Sequence, residues 1–253
     1  MARMTTSRAG TPRERARAQT MDEIVRIGRE HLAVHGAAAL SLRAVARDLG
    51  VVSSAVYRYV KNRDELLTLL LVSGYDELGD AVDAAMAEVP EDDHRARFMT
   101  LGRAVRTWAL AEPATYALLF GSPVPGYAAP DERTSVPGTR VPTAMLRVAA
   151  GAMSAGRLSV PEQPGEVSPA LAEGLQGIRD QIGLDLPDAY LARGVLVWTS
   201  LFGRVSFEVF GQFGRDSFGD PAGLFELHLA TLADELGLRS ADQPHSSAPD
   251  LKD

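Results

Sequence analysis

The chain has 253 residues, no cysteine and a formal net charge of −7. The lack of cysteine excludes disulfides, thiolate metal ligands and cysteine nucleophiles. No apolar run follows the N-terminal arginines, and the most apolar stretch, 194–203, is far shorter than the ~20 residues that cross a bilayer. We therefore expect a cytoplasmic protein without a membrane segment. Residues 1–63 carry twelve Lys and Arg against five Asp and Glu, and this basic part on an acidic remainder indicates a polyanionic partner.

The first sixty residues begin with a polar, basic arm, residues 1–10, which we expect to be disordered. Thr11 and Pro12 then supply an N-cap hydroxyl and a proline at the first position of a helix. This first predicted helix ends near His35, at Gly36. His31 and His35 stand one helical turn apart, a spacing that can hold zinc, but no third ligand is identifiable, so we predict no metal site.

Two short helices joined by a tight turn are predicted after Ser41, which is a natural N-cap. The first has its apolar residues on one helix face: Leu42, Val45, Ala46 and Leu49. Gly50 ends it in a position that suits a left-handed residue, and the small Ala46 lets a second short helix cross closely. An ordinary pair of packed helices would share some of these features. The full spacing, the polar second helix and the surrounding positive charge favour a DNA-binding helix-turn-helix over residues 11–63.

The second short helix presents hydroxyls, a guanidinium and aromatic edges to the outside. Such groups suit contacts with DNA phosphates and base edges. The predicted outward residues are Ser53, Ser54, Tyr57, Arg58 and Tyr59.

The rest of the chain is predicted to be helical, with no strand alternation, so the expected fold class is all-α. Asn62 caps a long fourth helix, 62–88, which connects the head to a body that spans residues 64–238. Six further helices are expected at about 92–111, 113–120, 139–155, 168–183, 188–213 and 220–236. Four prolines and three glycines predict a loop at 121–138, a possible entry for a hydrophobic effector. The tail, 239–253, is expected to be disordered.

The ninth predicted helix, 188–213, is apolar around most of its circumference and must be buried on several sides. It could be the central core helix of a monomer or part of a subunit interface. We favour a homodimer through the ninth and tenth helices, because small DNA-reading heads bind pseudo-palindromic sites as two-fold dimers.

Large apolar side chains in the body are candidates for an effector pocket, although residues of this kind are more often plain core than pocket wall. They are Met99, Trp108, Tyr116, Phe120, Met145, Met153, Trp198 and Phe202.

The segment GVVSSAVYRYVKNRDELL, residues 50–67, resembles the pattern of the tetracycline-repressor-like (TetR) family of bacterial transcription regulators. The stretches EPATYALLFG and WTSLFGRVSFEVFGQFG resemble the body of one TetR subgroup, which carries a Trp-x-x-x-x-Gly signature. Three residues depart from the pattern: Val52 replaces Ser or Thr, Val60 replaces Phe, and Lys61 replaces Pro. With Val52 in place, Ser53 could cap the second short helix.

The resemblance implies a three-helix head, a connecting fourth helix and a helical body that binds ligand. It implies phosphate contacts by Ser41, Arg43, Tyr59, Lys61 and Arg63, with Ser53, Ser54, Tyr57 and Arg58 facing the groove. Arg13, Arg15 and Arg17 would reach the flanking backbone, and Tyr59 has head core as its alternative role.

The function implied is that of a repressor of double-stranded operator DNA that a small hydrophobic molecule releases. One alternative is a DNA-binding regulator controlled by a protein partner or by its abundance. An enzyme is the remote alternative, because no catalytic motif or cofactor-binding loop is recognisable.

Overall fold

The structure is a computed structural model that describes residues 11–158, 167–214 and 217–238. Within these residues the chain forms eleven α-helices and no strand, which confirms the all-α prediction. The predicted arm 1–10 and tail 239–253 lie outside the described residues. The helices are α1 Pro12–His35, α2 Leu42–Asp48, α3 Ser53–Val56, α4 Arg63–Ala87, α5 His94–Ala111, α6 Pro113–Phe120, α7 Asp131–Gly138, α8 Arg140–Ser154, α9 Pro169–Ile182, α10 Asp188–Val209 and α11 Pro221–Glu235.

The helices fall into two compact units, and the first is discontinuous in sequence. It combines the described residues 11–76 with Glu112–Pro137, while the second combines Glu77–Ala111 with the described residues from Gly138 onward. This division differs from the expected body over residues 64–238, because α6 packs against α1. We call the first unit the head and the second the body.

The head is built around a core from its first four helices. Its buried members are Ile24, Ile27, Leu40, Leu42, Val45, Ala46, Val56, Val60, Leu66, Leu67 and Leu70. Gly28 lets α1 and α4 approach each other, since a β-carbon built there would lie 3.2 Å from a methyl group of Leu70. Val60, which departs from the family pattern, is fully buried in this core.

The stretch 121–138 is not a continuous loop, and the prediction is wrong for its second half. Pro130 accepts hydrogen bonds from the N–H groups of Arg133 and Thr134 and so starts α7. Pro137 is the seventh residue of this eight-residue helix, and because it has no N–H to donate to the preceding turn it favours the end of the helix there. Pro130 and Pro137, two of the four prolines that predicted a loop, therefore lie near the ends of a short helix.

The first half of this stretch contains a tight turn, Val124–Tyr127, that packs on the head core. The Tyr127 N–H donates to the carbonyl of Val124 at 3.1 Å, and Gly126 has φ 75°. Proline at the second position and a left-handed glycine at the third are features of a type II turn. The expected effector entry thus coincides with a turn that covers the core of the head.

A hydrogen bond fixes this turn to the first part of α4. The hydroxyl oxygens of Tyr127 and Thr68 are 2.9 Å apart, and Thr68 is buried. The Thr68 hydroxyl also donates to the carbonyl of Asp64 at 2.9 Å. Because a threonine hydroxyl carries a single proton, the Tyr127 hydroxyl is the donor of the bond to Thr68.

In the body, α5 packs against α8, α10 and α11. Close approaches depend on small residues: a β-carbon on Gly102 would lie 2.4 Å from Leu229, and one on Gly194 would lie 2.6 Å from Leu146. The predicted ninth helix corresponds to α10, which contacts α5, α8, α9 and α11 and is therefore packed on several sides, as expected. Among the described residues, no helix is both long and apolar enough to cross a membrane.

Candidate nucleic-acid interface

A tight turn after α2 aims the chain into α3. Ser41 caps α2 as predicted, since its hydroxyl accepts the Ala44 N–H at 3.5 Å. At the other end Gly50 has φ 73°. The N–H groups of Gly50 and Val51 donate to the carbonyls of Arg47 and Ala46, both at 3.0 Å. This is the hydrogen-bond pattern of a Schellman motif, which reverses the chain over a left-handed residue, so the predicted role of Gly50 is confirmed.

The second short helix, α3, begins without a side-chain cap. Its N-cap residue is Val52, and Ser53 is already helical, so the expectation that Ser53 provides the cap is wrong. Helical hydrogen bonds continue beyond Val56, whose carbonyl accepts the N–H groups of Tyr59 at 2.9 Å and Val60 at 3.0 Å. The buried Val56 and Val60 hold this segment on the head core.

The opposite side of this segment is open. Ser54, Tyr57 and Arg58 are exposed, and Ser53 is half-buried. The ring of Tyr59 packs against the head core, and the guanidinium carbon of Arg17 lies 5.2 Å from its centroid. The structure thus shows the core role of Tyr59 together with a cation–π contact.

The predicted phosphate-contacting cations occupy different environments. Arg43 and Lys61 are exposed, as are Arg13 and Arg15 in the first turns of α1. Arg63 is half-buried, and its guanidinium donates to the carbonyl of Ala37 at 2.9 Å. The guanidinium also donates to the carbonyl of Ala38 at 3.2 Å. Arg63 therefore links α4 to the turn that precedes α2. The sequence carried no local signal for this role.

The start of α4 forms as predicted, with one difference. The Asn62 side chain accepts the Glu65 N–H at 2.8 Å. The Glu65 carboxylate in turn accepts the N–H of Lys61, at 2.6 Å, rather than that of Asn62. The backbone that links α3 to α4 is therefore held from both sides.

His31 is hydrogen-bonded to a carboxylate of another helix. Its Nε2 lies 2.6 Å from Oδ2 of Asp48, so the pair joins α1 to the end of α2. The hydrogen bond from His31 lowers the pKa of Asp48 from its ordinary value, against a smaller effect of burial. Within the described residues, no group of three or more His, Asp or Glu side chains could hold a metal ion.

The eight pocket candidates are divided between the two units. Tyr116 and Phe120 belong to the head, where their rings are 5.0 Å apart. The other six belong to the body, where Trp198 and Phe202 stack at 4.7 Å. Trp108 is buried, and its indole nitrogen has no hydrogen-bond partner among the described residues. Buried polar groups are normally paired, so this donor is a notable feature of the set.

Sequence reasoning missed a buried charge network in the body. Glu208 on α10 accepts from Arg106 at 3.0 Å and from Arg204 at 3.1 Å, and Arg204 also donates to the carbonyl of Pro221. Burial acts to raise the pKa of Glu208, and the Arg106 hydrogen bonds with both guanidinium charges lower it below its ordinary value. The network joins α5, α10 and the first residue of α11, contacts that no short sequence pattern encodes.

Both parts of the chain match models of known families. The family described as bacterial regulatory proteins, tetR family, matches residues 19–70. The family described as tetracyclin repressor-like, C-terminal domain, matches residues 98–232.

Whole-chain comparisons agree with these matches. The HTH-type transcriptional regulators Rv1816 of Mycobacterium tuberculosis and Mb1846 of Mycobacterium bovis are each 45% identical over 222 residues, which cover 87% of this chain and 93% of the relative. The solved structure of the regulatory protein SCO4313 is 35% identical, with a TM-score of 0.71, and the match covers 88% of this chain and 100% of that one. A regulatory protein in the tetR family from Rhodococcus RHA1 is 16% identical with a TM-score of 0.57, over 88% and 99% of the two chains, and supports the fold alone.

Proposed function

We propose a function for this chain on the premise that it belongs to the TetR family of DNA-binding transcriptional regulators. The proposed function is that of a repressor which a small hydrophobic molecule releases from its operator. The observation that carries the proposal is the exposed polar side of α3 and of the helical turn that follows it. Ser54, Tyr57 and Arg58 are exposed there, while Val56 and Val60 are buried in the head core. Operator DNA lies in the bacterial cytoplasm, and the proposed site of action is there.

The contacts divide by chemistry. The exposed cations Arg43 and Lys61 suit phosphates, which position a protein on DNA without reading sequence. Ser53, Ser54, Tyr57 and Arg58 suit the major groove, where a guanidinium can bind guanine with two hydrogen bonds. Ser41, Tyr59 and Arg63 each have a structural role in the head, and their phosphate contacts would be additional.

The proposed dimer interface uses α10 and α11. Five large apolar side chains are exposed there: Val195, Leu196 and Phe207 on α10, its C-cap residue Phe210, and Leu227 on α11. A β-carbon on Gly203 would meet no atom of the described residues within 4 Å, so another helix could approach there. Two copies joined through this surface would present two α3 helices to half-sites about 34–36 Å apart. Leu196→Arg should convert the dimer to monomer in sedimentation, with Arg147→Ala as a surface control.

The effector proposal rests on the large apolar residues of the body, above all Trp108. A ligand with an oxygen acceptor would satisfy its buried indole N–H. Such a ligand lowers DNA affinity by the ratio of its affinities for the free and the DNA-competent conformations. Trp108→Phe should weaken release by the effector and leave operator affinity unchanged.

The test begins with selection of an operator from genomic fragments by the full-length protein. Arg58→Ala should then weaken operator binding by about 5- to 150-fold, as expected for a base contact worth about 1–3 kcal/mol, and weaken binding to random DNA much less. Arg147→Ala on α8, also exposed, should change neither affinity. Failure to select any operator at moderate salt would refute the proposed sequence-specific DNA binding, and with it the regulator proposal. A selected operator that no small molecule in a broad screen releases would refute the effector part alone.

A further inference from the structure

We infer that Val52 is a specificity-determining residue that recognises a thymine, through contact of its side chain with the C5 methyl group in the major groove. The inference rests on the proposed DNA-binding function of α3. It concerns an apolar residue at a position where the hydroxyls of Ser and Thr would offer capping or phosphate contact.

Exposed apolar groups are concentrated at α3. Between residues 11 and 63, four large hydrophobic side chains are exposed, and three of them lie within seven residues: Val51 at 39%, Val52 at 71% and Tyr57 at 45%. The fourth, Val34 at 75%, lies near the end of α1. Val51 and Val52 directly precede Ser53 and Ser54 in the chain, and Tyr57 follows them, so these exposed side chains lie next to or among the residues that are proposed to enter the groove.

Val52 has no role in holding the head together that would explain its side chain. It is the N-cap residue of α3, with extended backbone and no side-chain hydrogen bond to the helix. The head core is completed by Val56 and Val60 instead. The methyl groups of Val52 remain in solvent until another surface covers them.

The occupant follows from what the major groove offers. Its base edges carry hydrogen-bond donors and acceptors, and the C5 methyl group of thymine is the largest apolar group among them. A valine beside a purine edge or the amino group of cytosine would desolvate polar atoms without pairing them. Beside a thymine it would bury methyl against methyl, which is favourable.

The experiment removes that methyl group without altering base pairing. Each thymine of the selected half-site is replaced in turn by uracil, and the affinity of the full-length protein is measured by fluorescence anisotropy. We expect one position to lose about four-fold in affinity, the effect of one buried methyl group. Val52→Ala should bind the unmodified operator several-fold more weakly and show no further loss at that position.

Two further variants sharpen the test. Val34→Ala removes an equally exposed valine and should keep the full uracil penalty. Val52→Thr keeps the side-chain shape and one methyl group, and should keep an intermediate penalty. Insensitivity of the original protein to every uracil, a half-site without thymine, or an unchanged penalty in Val52→Ala would each overturn the inference. Each of these outcomes is read on an operator that the protein binds, so it is distinct from failure of the regulator proposal.

Discussion

Removal of the Tyr127 hydroxyl tests whether the Val124–Tyr127 turn is an integral part of the head. A neutral hydrogen bond contributes about 0.5–1.5 kcal/mol to stability. In Tyr127→Phe the Thr68 hydroxyl still donates to Asp64, so no buried donor is left unpaired. We therefore expect a loss in the lower part of that range, about 0.5–1 kcal/mol. Tyr127→Ala also removes a half-buried ring and should cost about 2–3 kcal/mol, less than the 3–5 typical of a fully buried aromatic residue.

The assay must report on the head specifically. Both tryptophans, Trp108 and Trp198, lie in the body, so tryptophan fluorescence follows the wrong unit. Hydrogen exchange of peptides from α1 and from the part of α4 up to Asp76, measured with increasing urea, gives the opening free energy of the head. Tyr190→Phe, read on peptides of α10 in the body, is the matched control, because its hydroxyl is buried with no hydrogen-bond partner among the described residues. The same chemical change should there be neutral or stabilising by up to about 1 kcal/mol.

Tyr127→Phe is expected to destabilise its unit, whereas Tyr190→Phe is not, and this difference makes the reasoning refutable. Unchanged protection of head peptides in both Tyr127→Phe and Tyr127→Ala would show that the turn does not stabilise the head. A loss in Tyr190→Phe as large as that in Tyr127→Phe would show that hydrogen bonding does not decide these effects.

Two further predictions concern helix packing and pH. Gly102→Ala should lower the unfolding free energy of the body by about 1–2 kcal/mol, because the new β-carbon would lie 2.4 Å from the buried Leu229. Gly177→Ala, inside α9 with open space around it, should raise that free energy by about 0.5–1 kcal/mol. Hydrogen exchange across urea titrations measures both, and equal effects would contradict the packing argument. The His31 hydrogen bond lowers the pKa of Asp48 in the folded head, so this stabilisation is present at neutral pH and is lost as the pH falls through the folded pKa. Asp48→Asn should reduce the fall in head stability below about pH 4. An unaltered fall would assign it to other carboxylates.

The features that could be predicted from the sequence are those in which a residue acts on neighbours three or four positions away. Ser41 and Asn62 cap their helices, and Gly50 takes the left-handed conformation. Each depends on local backbone groups left unpaired at a helix end, so a short pattern suffices to locate it.

The features that could not be predicted join residues far apart in the chain. Arg63 binds carbonyls 25 and 26 residues before it, and Tyr127 reaches Thr68 across 59 residues. A proline- and glycine-rich stretch predicts a turn, but its composition does not indicate which surface the turn covers. The predicted cap at Ser53 failed for a smaller reason, since α3 begins one residue earlier than a serine cap requires.

The discontinuous head has a consequence for protein synthesis. The recognition helix leaves the ribosome early, but the surface of Leu118, Val124 and Tyr127 that packs on its supporting core follows only after all of α5 has been made. Domains generally fold as units during translation. The packing of the head can therefore be completed only after Glu77–Ala111, which belongs to the body, has been synthesised. A nascent or truncated chain that ends within α5 therefore carries every proposed DNA-contacting residue, but it lacks the three side chains that complete the packing of the head core.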